Sequence, residues 1–237
     1  MKHWQSDQLR LVSCAGSSEA TFETVLSEVN KLGFRYCSFG MKGPLPLATP
    51  RALWRSNYPA GWQQRYQEQD YVRCDPTVAL AFVSDGVILW SDELFAACPQ
   101  MRAEACSFGL VHGWAQPRHD AHGIVSLLSC VRSDPPISEE ELKAKNERLQ
   151  WLSFLCHESM LSHWGPTLRN SPESELSNRE LEVLRWSCDG KTSADMAEII
   201  GVSEATVNFH MRNACLKLGT PNKTAAAVRA ALMGLLR

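Results

Sequence analysis

No stretch of this 237-residue chain approaches the run of ~18 apolar residues that a membrane-spanning helix needs. The N-terminus, Met-Lys-His-Trp-Gln-Ser-Asp-Gln, lacks the apolar core of a secretion signal. C-x-x-C pairs are missing as well. The nine cysteines therefore read as free thiols in a reducing compartment, not as a disulfide framework. There are no repeats and no low-complexity tracts, and Gly40 and Gly43 form no phosphate loop. An excess of charge of either sign is missing too, with 24 Lys and Arg against 26 Asp and Glu and a formal net of −2. Together these absences describe a soluble cytoplasmic protein with no membrane partner.

Catalytic groupings are absent in the same way. His119-Asp-Ala-His122 carries two histidines, but in a polar loop with no cysteine or carboxylate cluster to complete a metal site. Cys74 and His112 could be drawn as a nucleophile and base, yet no oxyanion hole accompanies them, and a buried cysteine acts mostly as a small hydrophobe. Glu139-Glu-Glu141 suits the first turn of a helix, where the dipole favours negative charge. No enzyme activity, metal or cofactor is expected.

What is present is concentrated at the C-terminus. In Lys191-Thr-Ser-Ala-Asp-Met-Ala197, followed by Ile200-Gly-Val-Ser203 and Val207, a small residue sits where two helices cross. Four residues later comes a glycine able to take positive φ. Ser203 can cap the second helix, and Val207 is spaced to pack back on Ala197 and Ile200. This is the pattern of a helix-turn-helix, although an isolated helical hairpin needs similar caps and a similar glycine. Ser177-Asn-Arg-Glu180 is a capping box opening a preceding helix that Gly190 closes. A final helix spans Lys223 to Leu236. From Leu176 onward eight Lys and Arg face six Asp and Glu, so the remainder of the chain carries −4. A tail this mildly basic holds DNA weakly as a single copy, and a dimer would supply the missing phosphate contacts.

The longer N-terminal part mixes helices and strands. A helix over Ser18–Leu32 ends at Gly33, and Phe34–Phe39 reads as a strand. The proline-rich stretch from Gly43 to Pro50 reads as a loop, and Ala60–Gln69 as a short helix. Val87–Trp90 and Ile124–Val131 read as strands. A capping box at Ser138-Glu-Glu-Glu141 opens a helix running through Leu142, Leu149, Leu152 and Leu155 to about His163; exposed apolar positions such as Leu152 and Leu155 would make it, together with the C-terminal helix, the dimer contact. Gly165-Pro to Ser174 has linker composition. The fold class is therefore α+β: a mixed N-terminal domain over 1–164, a linker over 165–175, and an all-α four-helix domain over 176–237.

Between Tyr58 and Trp90 lie Tyr58, Trp62, Tyr66 and Tyr71, then Asp75-Pro76-Thr77, then Trp90. Tyr58, Trp62 and Tyr66 recur every four residues and share one side of a helix. Tyrosine and tryptophan combine a broad apolar body with one polar tip. A cleft lined by them and one carboxylate suits a small amphipathic ligand. The same residues equally suit an aromatic core with Asp75 as a turn residue.

The order Asn57-Tyr-Pro-Ala-Gly-Trp62, Tyr66, Asp75-Pro76, Trp90, Gly113, then Glu180, Leu184 and Gly190, resembles the LuxR family of quorum-sensing regulators over nearly the whole chain. The resemblance implies an acyl-homoserine lactone receptor in an N-terminal α/β/α sandwich, joined to a DNA-binding domain that acts as a homodimer on a two-fold-symmetric operator. RNA polymerase would be a further partner if the protein is an activator. It also implies ligand roles. Trp62 would donate to the lactone carbonyl, Asp75 would accept the amide N–H, and Tyr58 with Ser129 would donate near the amide carbonyl. Tyr66 and Trp90 would pack against the chain and head group, with Thr77 beside Asp75. The acyl-facing positions Val78, Val125 and Leu127 are fixed by no motif. On the DNA side, Asn208 and Arg212 would meet bases beside Thr206, while Lys191, His210, Lys217 and Lys223 would meet phosphates. A receiver domain at the N-terminus is a poor alternative, since the first strand ends Ser38-Phe39-Gly40 with no acidic residue.

Overall fold

The computed structural model describes residues 2–46, 51–169 and 175–236. The chain forms two compact units. One comprises 1–42, 52–120 and 125–165, the other 43–51, 121–124 and 166–237.

The first unit is built on a five-stranded antiparallel sheet in the order β2-β1-β5-β4-β3. Its strands are β1 (Tyr36–Lys42), β2 (Ala52–Ser56), β3 (Ile88–Leu89), β4 (His112–His119) and β5 (Val125–Arg132). Alternation along a strand sends neighbours to opposite faces. On the back face, Trp114 donates from Nε1 to Asn146 at 3.0 Å, and Ser126 bonds His157 at 2.7 Å. Both partners lie on the long helix α6 (Glu139–Arg169). Two further helices, α1 (His3–Ser13) and α2 (Ser18–Lys31), belong to this side, with Thr21 of α2 bonded to Ser159 of α6. The front face is covered by α3 (Ala60–Glu68), a 3-10 turn (Tyr71–Arg73), α4 (Pro76–Ala81) and α5 (Pro99–Ser107). Helices on both faces of one sheet make the expected α/β/α sandwich.

Several expectations shift. The helix expected to stop near His163 continues through Pro166 to Arg169. The ring removes the hydrogen bond its nitrogen cannot donate and crowds the Ser162 carbonyl four residues back, and the helix ends three residues later. The first residues of the expected linker are thus helical, and its residues 170–174 lie outside the described residues, as do 47–50 of the proline-rich loop. The capping box at Ser138 is half formed. Ser138 accepts the Glu141 N–H at 3.2 Å, but the Glu141 carboxylate binds Arg132 and Lys145 instead. Leu152 and Leu155, which the sequence suggested as exposed dimer contacts, are core residues at 0% and 3% exposure. The exposed apolar surface of α6 is at Phe154, stacked on Trp151. Not all cysteines are free: Cys74 and Cys98 form a disulfide with Cα atoms 6.1 Å apart. No local pattern announces a contact between residues 24 apart in sequence.

The second unit contains α7 (Asn178–Cys188), α8 (Ser193–Ile200), α9 (Glu204–Lys217) and α10 (Lys223–Leu232). Each helix begins on a side-chain cap. Ser177, Thr192, Ser203 and Asn222 accept the N–H three residues on, which satisfies an otherwise orphaned donor. Gly201 leaves α8 at φ +68°, the left-handed region where glycine carries no Cβ penalty. Val207, Ala197 and partly buried Ile200 then meet in one core with Leu184, Met211 and Ala230. The last helix ends at Leu232, short of the expected Leu236.

Candidate ligand cavity and DNA-facing helix

The front of the sheet and the helices above it enclose a cavity of about 480 Å³. All seven ligand positions expected from the sequence line it: Tyr58, Trp62, Tyr66, Asp75, Thr77, Trp90 and Ser129. They arrive from five places in the chain, and local sequence explains how each is delivered. Asn57 binds the backbone at the start of β1, accepting from the Cys37 N–H at 2.6 Å and donating to the carbonyl of Arg35, just before the strand, at 3.1 Å. Ser56 accepts the Tyr58 N–H at 3.0 Å. The chain is thereby pinned just before Pro59 caps α3. Within α3, Gly61 leaves room for the Phe108 ring. Trp62 then buries to 3% exposure, stacked on Tyr71 and edge-on to Tyr66.

Asp75 is the N-cap of α4. Its Oδ1 accepts from the Thr77 N–H at 2.8 Å and the Thr77 hydroxyl at 2.6 Å, and its Oδ2 accepts from the Tyr66 hydroxyl at 3.0 Å. Burial pushes the carboxyl above the ordinary aspartate value, opposed by these hydrogen bonds. Burial likewise raises the Tyr58 and Tyr66 hydroxyls, so both are firmly protonated donors, with the Asp75 charge adding to the effect.

Two of the lining residues carry a buried donor with no hydrogen-bond partner: the Tyr58 hydroxyl and the Trp90 indole Nε1. The Ser129 hydroxyl lies close enough to Tyr58 to affect its acidity without completing a bond of good geometry. A buried unmet donor costs ~1–3 kcal/mol, so a pair around one cavity points to an occupant with acceptors. Trp90 is held over β4 because Gly113 has no side chain; a Cβ there would overlap the indole.

The sequence reading missed several lining residues. Ser38 and Ser56 sit in register with Ser129 across β1, β2 and β5. Trp54, Met101, Lys42 and Phe82 also line the cavity. Alternation in β1 could have indicated Ser38 and Lys42; β2 carries no comparable signal. His119, set aside as a metal ligand, bonds Asp85 at 2.5 Å.

In the second unit, α9 buries Val207, Met211, Ala214 and Leu218. Asn208 and Arg212 are exposed, while Thr206 and His210 are half-buried. The Asn208 Oδ1 accepts from the Ser193 hydroxyl at 2.8 Å, which orients the side-chain amide. Lys191 and Lys223 are exposed at helix starts. Lys217 is placed differently from a free phosphate ligand. Its ammonium binds the buried Glu180 carboxylate at 2.8 Å and the Glu175 carbonyl at 3.0 Å, tying α9 to the cap of α7. A residue the motif did not single out, Phe209, is 57% exposed on the side of α9 opposite its core residues.

Comparison with known proteins agrees with this division. Residues 17–160 match the autoinducer binding domain, and residues 174–230 match bacterial regulatory proteins of the luxR family. The transcriptional activator protein AnoR of Acinetobacter nosocomialis is 42% identical over the full length of both chains. The quorum-sensing regulator RhlR of Pseudomonas aeruginosa is 36% identical, covering 92% of this chain and 90% of its own. The crystal structure of Escherichia coli SdiA superposes with a TM-score of 0.84 at 31% identity, covering 99% of this chain and 98% of SdiA. A second SdiA structure, in complex with octanoyl-rac-glycerol, gives 0.83 at 31% identity, covering 99% of this chain and 96% of that one.

Proposed function

The chain belongs to the luxR family of bacterial regulatory proteins, an autoinducer-binding domain joined to a helix-turn-helix, and from that premise we propose how its residues divide the work. The chain is a ligand-dependent transcriptional regulator in quorum sensing, acting in the cytoplasm. Residues 1–164 form the ligand domain and 176–237 the DNA-binding domain. An N-acyl-homoserine lactone fills the cavity. The observation that carries this reading is the pair of unmet buried donors, Tyr58 and Trp90, around a cavity that also holds the Asp75 carboxylate.

The chemistry divides as follows. Asp75 accepts the ligand amide N–H, which offsets part of the cost of keeping a charge out of water. Tyr58, assisted by Ser129, donates to the amide carbonyl. Trp62 donates to the lactone carbonyl, and Tyr66 and Trp90 flank the head group, with Thr77 holding Asp75 in place. Occupancy satisfies groups that the empty fold leaves unpaired, so ligand binding stabilises the folded state by mass action.

On DNA, the N-terminal half of α9 enters the major groove. Asn208 can pair with adenine and Arg212 with guanine, each discriminating by ~1–3 kcal/mol. Phe209 joins them by its position and fits a thymine methyl. Lys191, His210 and Lys223 serve phosphates, while Lys217 serves the domain's own fold. The charge of the second unit is small, so tight binding requires a homodimer on a two-fold-symmetric operator. RNA polymerase is the further partner if the protein activates. Stacked Trp151 and Phe154 offer the apolar surface on α6 for pairing.

The test is to purify the full chain from cells fed a mixture of acyl-homoserine lactones and to identify the bound molecule by mass spectrometry. A stoichiometric lactone is expected, along with sedimentation as a dimer. A chain that folds, binds its operator and carries no lactone overturns the ligand assignment.

A further inference from the structure

The floor of the cavity is graded from polar to apolar along the strands. Ser129, Ser38 and Ser56 lie in register across one row. Two residues along, on the same face, come Leu127, Gly40 and Trp54, and then Val125, Lys42 and Ala52. The Tyr58 end, with its unmet donor, belongs to the serine row. At the far row Lys42 extends its ammonium over the Phe82 ring, 4.1 Å from the centroid. Phe82 directly follows α4, whose Val78 and Ala81 line the cavity from above. Lys42 from the floor and Phe82 from the roof therefore meet across the cavity at the end remote from its polar groups. Both are partly open to solvent.

We propose that the Lys42–Phe82 pair closes the far end of the channel and sets the length of acyl chain the receptor accepts. This rests on the lactone reading above. Four strand residues separate Ser129 from Val125, a span of ~14 Å at ~3.4 Å per residue. An extended hydrocarbon with ~1.5 Å bonds advances ~1.3 Å per carbon. About ten carbons beyond the amide therefore reach the pair. Shorter chains end beneath it, while longer chains must lift the ammonium off the ring and pass between them into water. A cation resting on a solvent-open aromatic face is worth enough to change affinity by about twofold to fivefold.

The experiment titrates the full-length protein with saturated hexanoyl-, octanoyl-, decanoyl-, dodecanoyl- and tetradecanoyl-homoserine lactones, following quenching of tryptophan fluorescence. The quantity read is the ratio of the tetradecanoyl to the octanoyl Kd. In the wild type this ratio should be about threefold to fivefold, with the break near decanoyl. Phe82→Ala should lower it by about twofold or more. Lys42→Met, which keeps the length of the side chain and removes the charge, should lower it too. A wild-type profile flat with chain length, or variants with the parent's ratio, overturns the closure proposal and leaves the lactone reading standing. Failure of the folded wild type to bind any lactone overturns both, and the two failures are told apart by the octanoyl titration alone.

Discussion

Replacing Asp75 by alanine and by asparagine separates two tasks performed by one carboxylate. Alanine removes the N-cap of α4, at ~1 kcal/mol. It also strips the buried Tyr66 hydroxyl of its acceptor, at a further ~1–3 kcal/mol. The sum of ~2–4 kcal/mol corresponds to a fall in Tm of roughly 5–15 °C for a chain of this size, measured without ligand. Asparagine behaves differently. Its oxygen can still accept from Thr77, and its amide nitrogen can donate to the Tyr66 oxygen, so the fold should lose less than ~1 kcal/mol. The same nitrogen, however, presents N–H to the ligand's N–H. Affinity for octanoyl-homoserine lactone should then fall by ~1–3 kcal/mol, or roughly 5- to 150-fold in Kd. Thermal unfolding of the empty protein and fluorescence titration of both variants make the comparison. Asparagine binding the lactone like the parent would show that Asp75 is not the acceptor, or that it binds the ligand protonated. Alanine with an unchanged Tm would refute the capping argument.

Tyr58→Phe deletes a buried hydroxyl that has no partner, so the empty protein should be as stable as the parent or ~1 kcal/mol more so, while lactone affinity falls about tenfold; a loss of stability without ligand contradicts the unmet-donor reading. In gel-shift titrations over a salt series, Arg212→Ala should lose preference for the operator over scrambled DNA, whereas Lys223→Ala should weaken both alike and flatten the salt slope by ~1; the opposite pattern means the wrong face of α9 reads the bases. Arg132, with Lys145 assisting, holds the Glu141 carboxyl down to about 2, so this group's stabilisation is complete above its ordinary value near 4.5 and disappears as pH falls towards 2. Acid unfolding of Glu141→Gln should accordingly show a shallower loss of stability over that interval, and a slope identical to the parent's removes Glu141 from the explanation.

How much of this was legible depended on whether the information was local. Ser177 with Glu180, Gly201 and Ser203 act within four residues of themselves, and the four-helix unit they imply is the one observed. The grouping of Tyr58, Trp62, Tyr66, Asp75, Thr77 and Trp90 was legible as either a cleft or a core, and the sheet gives them a common cavity; Ser129 came to that group only through the family resemblance. β4 was not. It carries Gln116 and Arg118 on one face and Gly113 and Pro117 on the other, so apolar alternation is absent. Two of its polar side chains find partners from afar, Gln116 donating to the Asp85 carbonyl and one terminal nitrogen of Arg118 to the Gln150 carbonyl. Pro117 is tolerated because β3 pairs only with Trp114 and Ala115, leaving the outer side of β4 without a strand to bond at that point. Leu152 and Leu155 misled for a related reason. A helical stripe of leucine says that a face is covered, and only the tertiary fold says by what.

The overlap that a methyl at Gly113 would make with Trp90 couples two positions in the history of the sequence. Position 113 can gain an atom only if the Trp90 ring shrinks or gives way. Alanine at this place on β4 goes either with a smaller residue at 90, which loses the unmet Nε1 donor, or with a displaced indole. Alanine arriving first would tilt the ring into the cavity and shorten the space left for a signal molecule. The smallest coding change on this strand is therefore a change of ligand range, made without touching any residue that bonds the ligand.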